Sequence, residues 1–308
     1  FQVLIDILLN KMDGKMNNLI SVVVTCYNHE KYIEQCLRSV FNQTYTNIEL
    51  IVLDDGSTDS STQIIQEVLK DSPFETRFET HENLGVVKNR NLGLELIRGD
   101  YLLFVDSDNY LDADYVEQLY SKLTETNADI AYCDLFNPEK EEFYLKSREF
   151  DLTAFLNASF IDNCSLIRRS IIGNARYDEM LNRKKLEDYD FLLNLIINNG
   201  AKAVYQPSTK LNYRVFETGS ISGRDSVRYH YEIYLDILEK YLDKLPHEIY
   251  KAVCENLMVL EERLDSLLKH HDDVTDYVNR LKKERDQLER SLKKERDQLE
   301  RSLKKERD

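Results

Sequence analysis

Three runs in this chain read as strands covered on both faces. Leu19–Thr25 is LISVVVT, Ile48–Leu53 is IELIVL and Asp100–Val105 is DYLLFV. Each is short, rich in branched or aromatic side chains and carries at most one charge, as suits a strand with helices above and below it. Segments of helical period alternate with these runs. Lys31–Phe41 places Ile33, Cys36, Leu37, Val40 and Phe41 on one side, and Ser60–Leu69 does the same with Ile64, Ile65, Val68 and Leu69. Phe74–Glu79 and Asp129–Asp134 read as further strands, and Asn83–Gly99 and Ala113–Leu123 contain further helices. This alternation predicts an α/β fold with a mainly parallel central sheet between helices.

The second half is less regular. Phe143–Phe150 reads as an edge strand, Leu152–Ser159 as a short helix, Glu187–Asn199 as a helix, and Ala203–Tyr205 and Leu211–Val215 as two short strands. Glu217–Arg224 contains two glycines and is expected to close over a ligand or move. Helix then dominates, over Val227–Leu242 and, after the break at Pro246, from Glu248 onward. Leu260, Leu264, Leu267, Val274, Val278, Leu281, Leu288 and Leu292 fall on a three–four alternation, which is coiled-coil spacing, with His271 and Arg285 in otherwise apolar places of the seam. KKERDQLERSL occurs at 282–292 and again at 293–303, an eleven-residue period that predicts a nearly straight or slightly right-handed supercoil. The expected organisation is an N-terminal extension (1–17), a catalytic domain (18–224), a helical region (225–259) and a stalk (260–308) that makes a homo-oligomer through a coiled coil.

Composition removes several classes of function. A formal net charge of -15 does not suit a nucleic-acid binder, which needs a basic footprint, so no nucleic-acid partner is expected. No apolar run of about 20 residues is present to span a bilayer, and the expected location is cytoplasmic, with contact at the inner face of the membrane left open through residues 1–15 or the acceptor. Those first residues are read either as sequence upstream of a start at Met16 or Met12, or as a short amphipathic segment. The five cysteines are odd in number and match no zinc spacing; they read as small buried residues in a reducing compartment. No P-loop follows the first strand, no GxGxxG is found there, and no GxSxG elbow occurs.

The chemistry concentrates at strand ends. Ligands of open α/β sheets bind beyond the carboxyl ends of the strands, and here three strands end in polar clusters: Thr25 with Tyr27, Asp54-Asp55-Gly56-Ser57, and Asp106-Ser107-Asp108-Asn109. Crowded carboxylates with oxygen donors suit a hard cation, Mn2+ or Mg2+, that also holds a diphosphate, making Asp106 and Asp108 the candidate metal ligands. Leu186-Glu187-Asp188-Tyr189-Asp190 supplies a separate carboxylate pair at a helix start, where a general base could act on an acceptor hydroxyl.

Taken together, SVVVTCYNHEKYIEQCLRSVFNQTY (21–45), IELIVLDDGSTDSS (48–61), NLGVVKNRNLGL (83–94), GDYLLFVDSDN (99–109) and LEDYDF (186–191) resemble the family-2 glycosyltransferases of the GT-A fold. The resemblance covers about residues 18–224 and implies transfer of a sugar from a nucleoside-diphosphate sugar, with uracil or thymine the usual base and a UDP-linked donor expected. It implies that Thr25 and Tyr27 flank the nucleoside, that Asp55 reads the base edge with support from Asp54, and that Asn83, Lys88, Arg90 and Asn91 lie near the donor. Asp106 and Asp108 match the DxD pair, with Asp108 the direct ligand. Asp188 matches the base of inverting members, and Glu187 is its orienting neighbour. Asn109 stands where many relatives have a carboxylate. No histidine follows Tyr213-Arg214, which would leave more of the phosphate charge to Arg214. The implied acceptor is a hydroxyl of a glycan, a lipid-linked glycan or a glycoprotein, in capsule, exopolysaccharide or teichoic-acid chemistry. The alternatives are a sugar-1-phosphate nucleotidyltransferase and a non-catalytic oligomeric scaffold.

Overall fold

The computed structural model describes residues 18–216 and 227–259, together with Lys283. The expected extension 1–17, the loop Glu217–Arg224 and the stalk 260–308 lie outside the described residues. Among the described residues, nine strands form one sheet: β1 (Ile20–Cys26), β2 (Ile48–Asp54), β3 (Glu75–Thr80), β4 (Tyr101–Asp106), β5 (Tyr110–Leu111), β6 (Ile130–Asn137), β7 (Glu142–Leu145), β8 (Leu166–Arg168) and β9 (Ala203–Asn212). Their order is β3-β2-β1-β4-β8-β6-β9-β5, with β7 beside β6. The helices are α1 (Ile33–Phe41), α2 (Ser61–Val68), α3 (Val86–Leu96), α4 (Tyr115–Thr126), α5 (Leu152–Asn157), α6 (Arg169–Ile172), α7 (Glu187–Leu193) and α8 (Val227–Glu239). One more helix runs over 247–259.

The expectation of a mainly parallel sheet needs correction. β3, β2, β1 and β4 are parallel, as are β6 and β9. β8 runs antiparallel to both β4 and β6, and the β5–β9 and β6–β7 pairs are antiparallel too. The sheet is therefore mixed. A three-residue strand carries too little pattern to be read from sequence, yet β8 joins the two parallel groups. The two strands expected at 203–205 and 211–215 are one, β9, with an irregularity opposite Tyr132 and Asp134. Pro207, which cannot donate a ladder hydrogen bond, falls inside that irregular stretch.

The runs that announced the fold form its centre. Every residue of β1 and β2 is buried. Ile20, Val22 and Val24 join a core with Ile33, Leu37 and Val40 of α1, Ile65 of α2, and Leu119 and Leu123 of α4. The opposite face receives α3, which comes so close at Gly93 that a Cβ there would lie 3.0 Å from Val23 Cγ1 and 3.1 Å from Phe104 Cε1. Glu49, the charge near the start of β2, is held at the amino end of the sheet. Glu49 accepts hydrogen bonds from Ser21 Oγ (2.5 Å), the Arg98 backbone N–H (2.7 Å) and Arg98 Nε (2.7 Å), so its burial is compensated. α8 packs on the same body, with Tyr234 Oη donating to the Leu156 carbonyl; just beyond its end, Tyr241 Oη donates to Asp190 Oδ1 at 2.9 Å, and Lys240 Nζ donates to Asp178 and Asp190.

Candidate active site

Parallel pairing sets the polar strand ends in one row. Cys26 lies opposite Asp54, Thr25 opposite Asp106, and Asp54 opposite Thr80. Beyond β1 the chain turns at Asn28, which adopts φ 56°, a left-handed conformation that asparagine tolerates better than most residues. Asn28 N–H donates to Ser57 Oγ (2.8 Å), and its Oδ1 accepts from Thr58 N–H (2.7 Å), which ties the loop after β1 to the loop after β2. Tyr27, at the open end of that row, is 44% exposed.

The two aspartates after β2 have different tasks. Asp54 is fully buried and accepts from Ser57 Oγ, Thr62 Oγ1 and Thr80 Oγ1, so it folds the loop. Asp55 binds the next loop instead: Leu84 N–H reaches its Oδ1 at 2.7 Å and Gly85 N–H its Oδ2 at 2.9 Å, while Asn83 Nδ2 donates to its carbonyl. The carboxylate expected to read a base is thus also the latch for residues 83–85. Two amide donors leave lone pairs on it for a further donor.

Arg90 is the centre of the carboxylate group. It is buried on α3, donating from Nη2 to Asp106 Oδ1 (2.9 Å) and from Nη1 to Glu187 Oε1 (2.8 Å). One guanidinium therefore joins the DSDN turn to the start of α7, a pairing of distant motifs that spacing alone does not show. Thr25 Oγ1 also donates to Asp106 Oδ1, at 3.4 Å. Leu186 turns the chain into α7 at φ 65°, an uncommon conformation for a leucine. Asp188 Oδ1 accepts from its neighbour Tyr189 N–H.

Burial and mutual repulsion disfavour the charged form of several carboxyls here. Burial, and then the charge of Asp106, pushes Asp108 up to about 7. Burial raises Glu187 to about 7 despite Arg90, and raises Asp188 too, Arg90 opposing. Asp162, which no motif flagged, belongs to the same group: burial, then Asp106, pushes it up to about 7, and Asp188 adds to the effect. It lies just before β8 in the irregular stretch, where sequence offered no period to follow. A second unflagged neighbour is His29, whose Nδ1 lies 2.7 Å from Ser107 Oγ and which burial keeps on the neutral side.

The remaining predicted residues divide. Arg214 reaches the DSDN turn: its guanidinium donates to the Asp108 carbonyl and to Gln35 Oε1, lies 4.8 Å from the Tyr32 ring centroid and 5.1 Å from that of Tyr110, and its backbone N–H donates to Asn109 Oδ1. Asn109 thus positions Arg214. Asn83 receives Arg183 Nη2 on both its oxygens. Asn91 exchanges two hydrogen bonds with the Tyr177 backbone, at 2.9 and 3.0 Å. Lys88 points to the surface, 3.9 Å from Glu179, and does not join the carboxylate group. A cavity of about 680 Å³ lined by Asn18, Asp100, Arg168 and Arg176 opens at the other end of β1 and β4 and contains none of these residues.

Among the described residues, no three His, Cys, Asp or Glu side chains are grouped to hold an ion by themselves. Asp108 nevertheless fits a shared site. It has no ion pair among the described residues and stands beside Asp106. Mg2+ is commonly held by one or two carboxylates together with substrate phosphates, and a donor would complete that set.

Residues 21–189 match the family described as Glycosyl transferase family 2. A Haemophilus influenzae protein described as an uncharacterized glycosyltransferase is 36% identical over 184 residues, 58% of this chain and 72% of that protein. Glycosyltransferase GlyA of Streptococcus pneumoniae is 37% identical over 152 residues, 48% of this chain, and the match spans only 22% of its length. Among solved structures, residues 1-349 of S. aureus TarS in complex with UDP-GlcNAc align with a TM-score of 0.61 and 20% identity, covering 77% of this chain and 71% of that one. Mannosyltransferase PcManGT from Pyrobaculum calidifontis, in complex with GDP-Man and Mn2+, aligns with a TM-score of 0.55 and 15% identity over 84% of this chain and 81% of that one. Both structural likenesses bear on the fold.

Proposed function

We propose, on the premise that this chain belongs to glycosyl transferase family 2, that it is an inverting enzyme that moves a sugar from a UDP-linked donor to an acceptor hydroxyl of a glycan, a lipid-linked glycan or a glycoprotein. The observation that carries this reading is the Arg90 bridge, which brings the DxD carboxylates at the end of β4 and the Glu187–Asp188 pair of α7 into one site. Asp188 takes the proton from the acceptor hydroxyl. The freed oxygen attacks the anomeric carbon from the face opposite the diphosphate, and the bond to the diphosphate breaks with its electrons leaving on oxygen. A raised pKa makes Asp188 a stronger base than an ordinary carboxylate. Arg90, near the donor, positions Asp106 and Glu187. Thr25 and Tyr27 flank the nucleoside, Asp55 reads its base, and Arg214 stands where the diphosphate leaves. Mn2+ or Mg2+ held by Asp108 with Asp106 would neutralise charge on the departing diphosphate.

Among the described residues, no helix is long and apolar enough to cross a membrane. The proposed setting is cytoplasmic, at the inner face of the membrane where a lipid-linked acceptor would be met. Family membership leaves the nucleotidyltransferase alternative without support. The scaffold alternative is settled by turnover.

The experiment is a screen of nucleotide sugars by release of nucleoside diphosphate, with and without Mn2+, for the wild type, Asp188→Asn and Asp108→Ala. Asp188→Asn should bind UDP as the wild type does and lose roughly 10²–10⁴-fold in turnover. Asp108→Ala should lose the Mn2+-dependent part of UDP binding. Turnover in Asp188→Asn above a third of wild type would show that another group is the base, and equal UDP affinities would remove the metal from Asp108.

A further inference from the structure

The hairpin after β6 presents a feature that neither the donor site nor the fold requires. β6 and β7 pair Asn137 with Glu142 and Phe136 with Phe143, then shift to Leu135 with Leu145. Tyr144 is the residue left over, the extra member of a β-bulge. Bulges re-aim a side chain that regular pleating would place elsewhere. Here the ring of Tyr144 lies parallel to Tyr213, with centroids 5.1 Å apart and planes at 20°, and Tyr144 remains 54% exposed. Phe143 beside it is 45% exposed, with Lys146 Nζ 4.7 Å from its ring centroid and Phe136 edge-on to it.

The place of this pair matters more than its exposure. Tyr213 directly precedes Arg214, whose guanidinium donates to the Asp108 carbonyl. Tyr213 itself is fixed by a hydrogen bond from its N–H to the Phe136 carbonyl, at 2.8 Å. Asp162 lies on the inner side. Leu166 pairs with Leu103 of β4, and the turn at Asn163–Cys164 that leads into β8 brings Asp162 and Cys164 to the Asp106 end of that strand. Asn163 is buried with an unpartnered Nδ2, and its Oδ1 accepts from Tyr177 Oη at 2.6 Å. The charge of Asp162 acts on the Tyr213 hydroxyl more strongly than those of Asp106 and Asp108. A row thus runs from the exposed Tyr144 through Tyr213 to Asp162 and the reacting carboxylates.

We propose that the stacked Tyr144–Tyr213 pair is the platform for a sugar ring of the acceptor, with Asp162 accepting hydrogen bonds from the hydroxyls of that sugar. A pyranose has one face of C–H groups and a rim of hydroxyls. The apolar face covers an exposed aromatic ring, and the rim needs an acceptor such as a carboxylate. The occupant is the acceptor because the platform leads through Tyr213 and Arg214 to the DSDN turn, which Arg90 joins to Glu187, the neighbour of the proposed base Asp188. This assignment rests on the sugar-transfer reading above.

Binding of the full chain to a printed array of bacterial and synthetic oligosaccharides, in the presence of UDP, tests it. The wild type should select at least one glycan. Tyr144→Ala should bind that glycan about tenfold more weakly, and Tyr144→Phe, which keeps the ring, should restore binding. Asp162→Asn should weaken binding of the same glycan. Melting temperature and UDP affinity of each variant report whether the fold is intact. No glycan bound by the wild type, or Tyr144→Ala binding like the wild type, overturns the platform. Glycan binding that depends on Tyr144 in a chain that releases nucleoside diphosphate from no donor would keep the platform and remove the transferase reading.

Discussion

Arg90 carries more of this site than any carboxylate it touches. It is a buried cation between Asp106 and Glu187, its Nε without a partner among the described residues, so its removal leaves two carboxylates in a poorly solvated space. Breaking such a pair from one side typically costs about 3–5 kcal/mol. Arg90→Met should lower unfolding free energy in urea by that order and reduce turnover; Glu187→Gln added to it should recover part of the stability, since one stranded charge is gone. Equal stability of Arg90→Met and wild type would mean that water reaches these groups freely. Asp162 gives a test by pH. Its folded carboxyl keeps a proton up to about 7, whereas in an unfolded chain it ionises near the ordinary 3.8. Below both values the group has no effect. Between them only the unfolded chain has lost the proton, so this group lowers stability as pH rises, with the full cost above about 7. Asp162→Asn does not titrate, and its melting temperature relative to wild type should climb from pH 4 to pH 7 and then level. A difference that stays constant across that range would show that Asp162 is well solvated.

At the scale of elements, the loop between β3 and α3 is the most constrained piece of the donor side. Gly85 adopts φ 91°, and its N–H holds Asp55. A Cβ there would fall 2.4 Å from Asn182 Oδ1. That side chain cannot swing away cheaply, because it donates to the Leu84 carbonyl at 2.7 Å and accepts from Val87 N–H. Gly85→Ala should therefore displace the loop, release Asp55 and weaken UDP binding by about tenfold or more in calorimetry, a cost of about 1.4 kcal/mol; unchanged affinity would separate Asp55 from the nucleotide. The strands that position this loop were legible because β1, β2 and β4 are buried on both faces and leave an unbroken apolar signal. The elements around Asp162 were not. β8 is three residues long, and β9 contains Gln206 and Pro207, polar and ladder-breaking residues that split it into two in the sequence pattern. The expected edge strand at 143–150 stops at Leu145 because Ser147 turns inward, donating from Oγ to the Cys133 and Phe160 carbonyls at 2.9 Å. Such side-chain-to-backbone bonds leave no periodic trace.

For the whole molecule, both carboxylate motifs could be read from sequence, while their union through Arg90 and the presence of Asp162 needed the fold, since residues 90, 106, 162 and 187 meet only when β8 and α7 are placed. The other whole-molecule expectation, assembly, rests on the pattern beyond residue 259. Leu260, Leu264, Leu267, Val274, Val278, Leu281, Leu288 and Leu292 hold one face over some nine turns if helical, at about 3.6 residues per turn. Burying a leucine or valine side chain stabilises by about 1.5–3 kcal/mol relative to leaving it in water, so a solitary helix would forgo most of that gain. The sheet already has α1, α2 and α4 on one face and α3 on the other, which leaves another copy of the chain as the natural partner for the seam. Lysine, arginine, glutamate and aspartate fill the positions around it, with Glu289–Lys293 and Glu300–Lys304 as favourable i,i+4 pairs. Arg285 in the seam disfavours a dry two-stranded core and leaves the copy number to measurement. A parallel bundle would set several active sites side by side, which raises the effective concentration of sites on a repeating or membrane-bound acceptor. Light scattering should find the full chain oligomeric and residues 1–259 monomeric at tens of micromolar, with equal turnover per site on a soluble acceptor. Two monomers would remove the stalk. A full-chain oligomer with lower turnover than the truncated chain would mean that assembly obstructs entry of the acceptor.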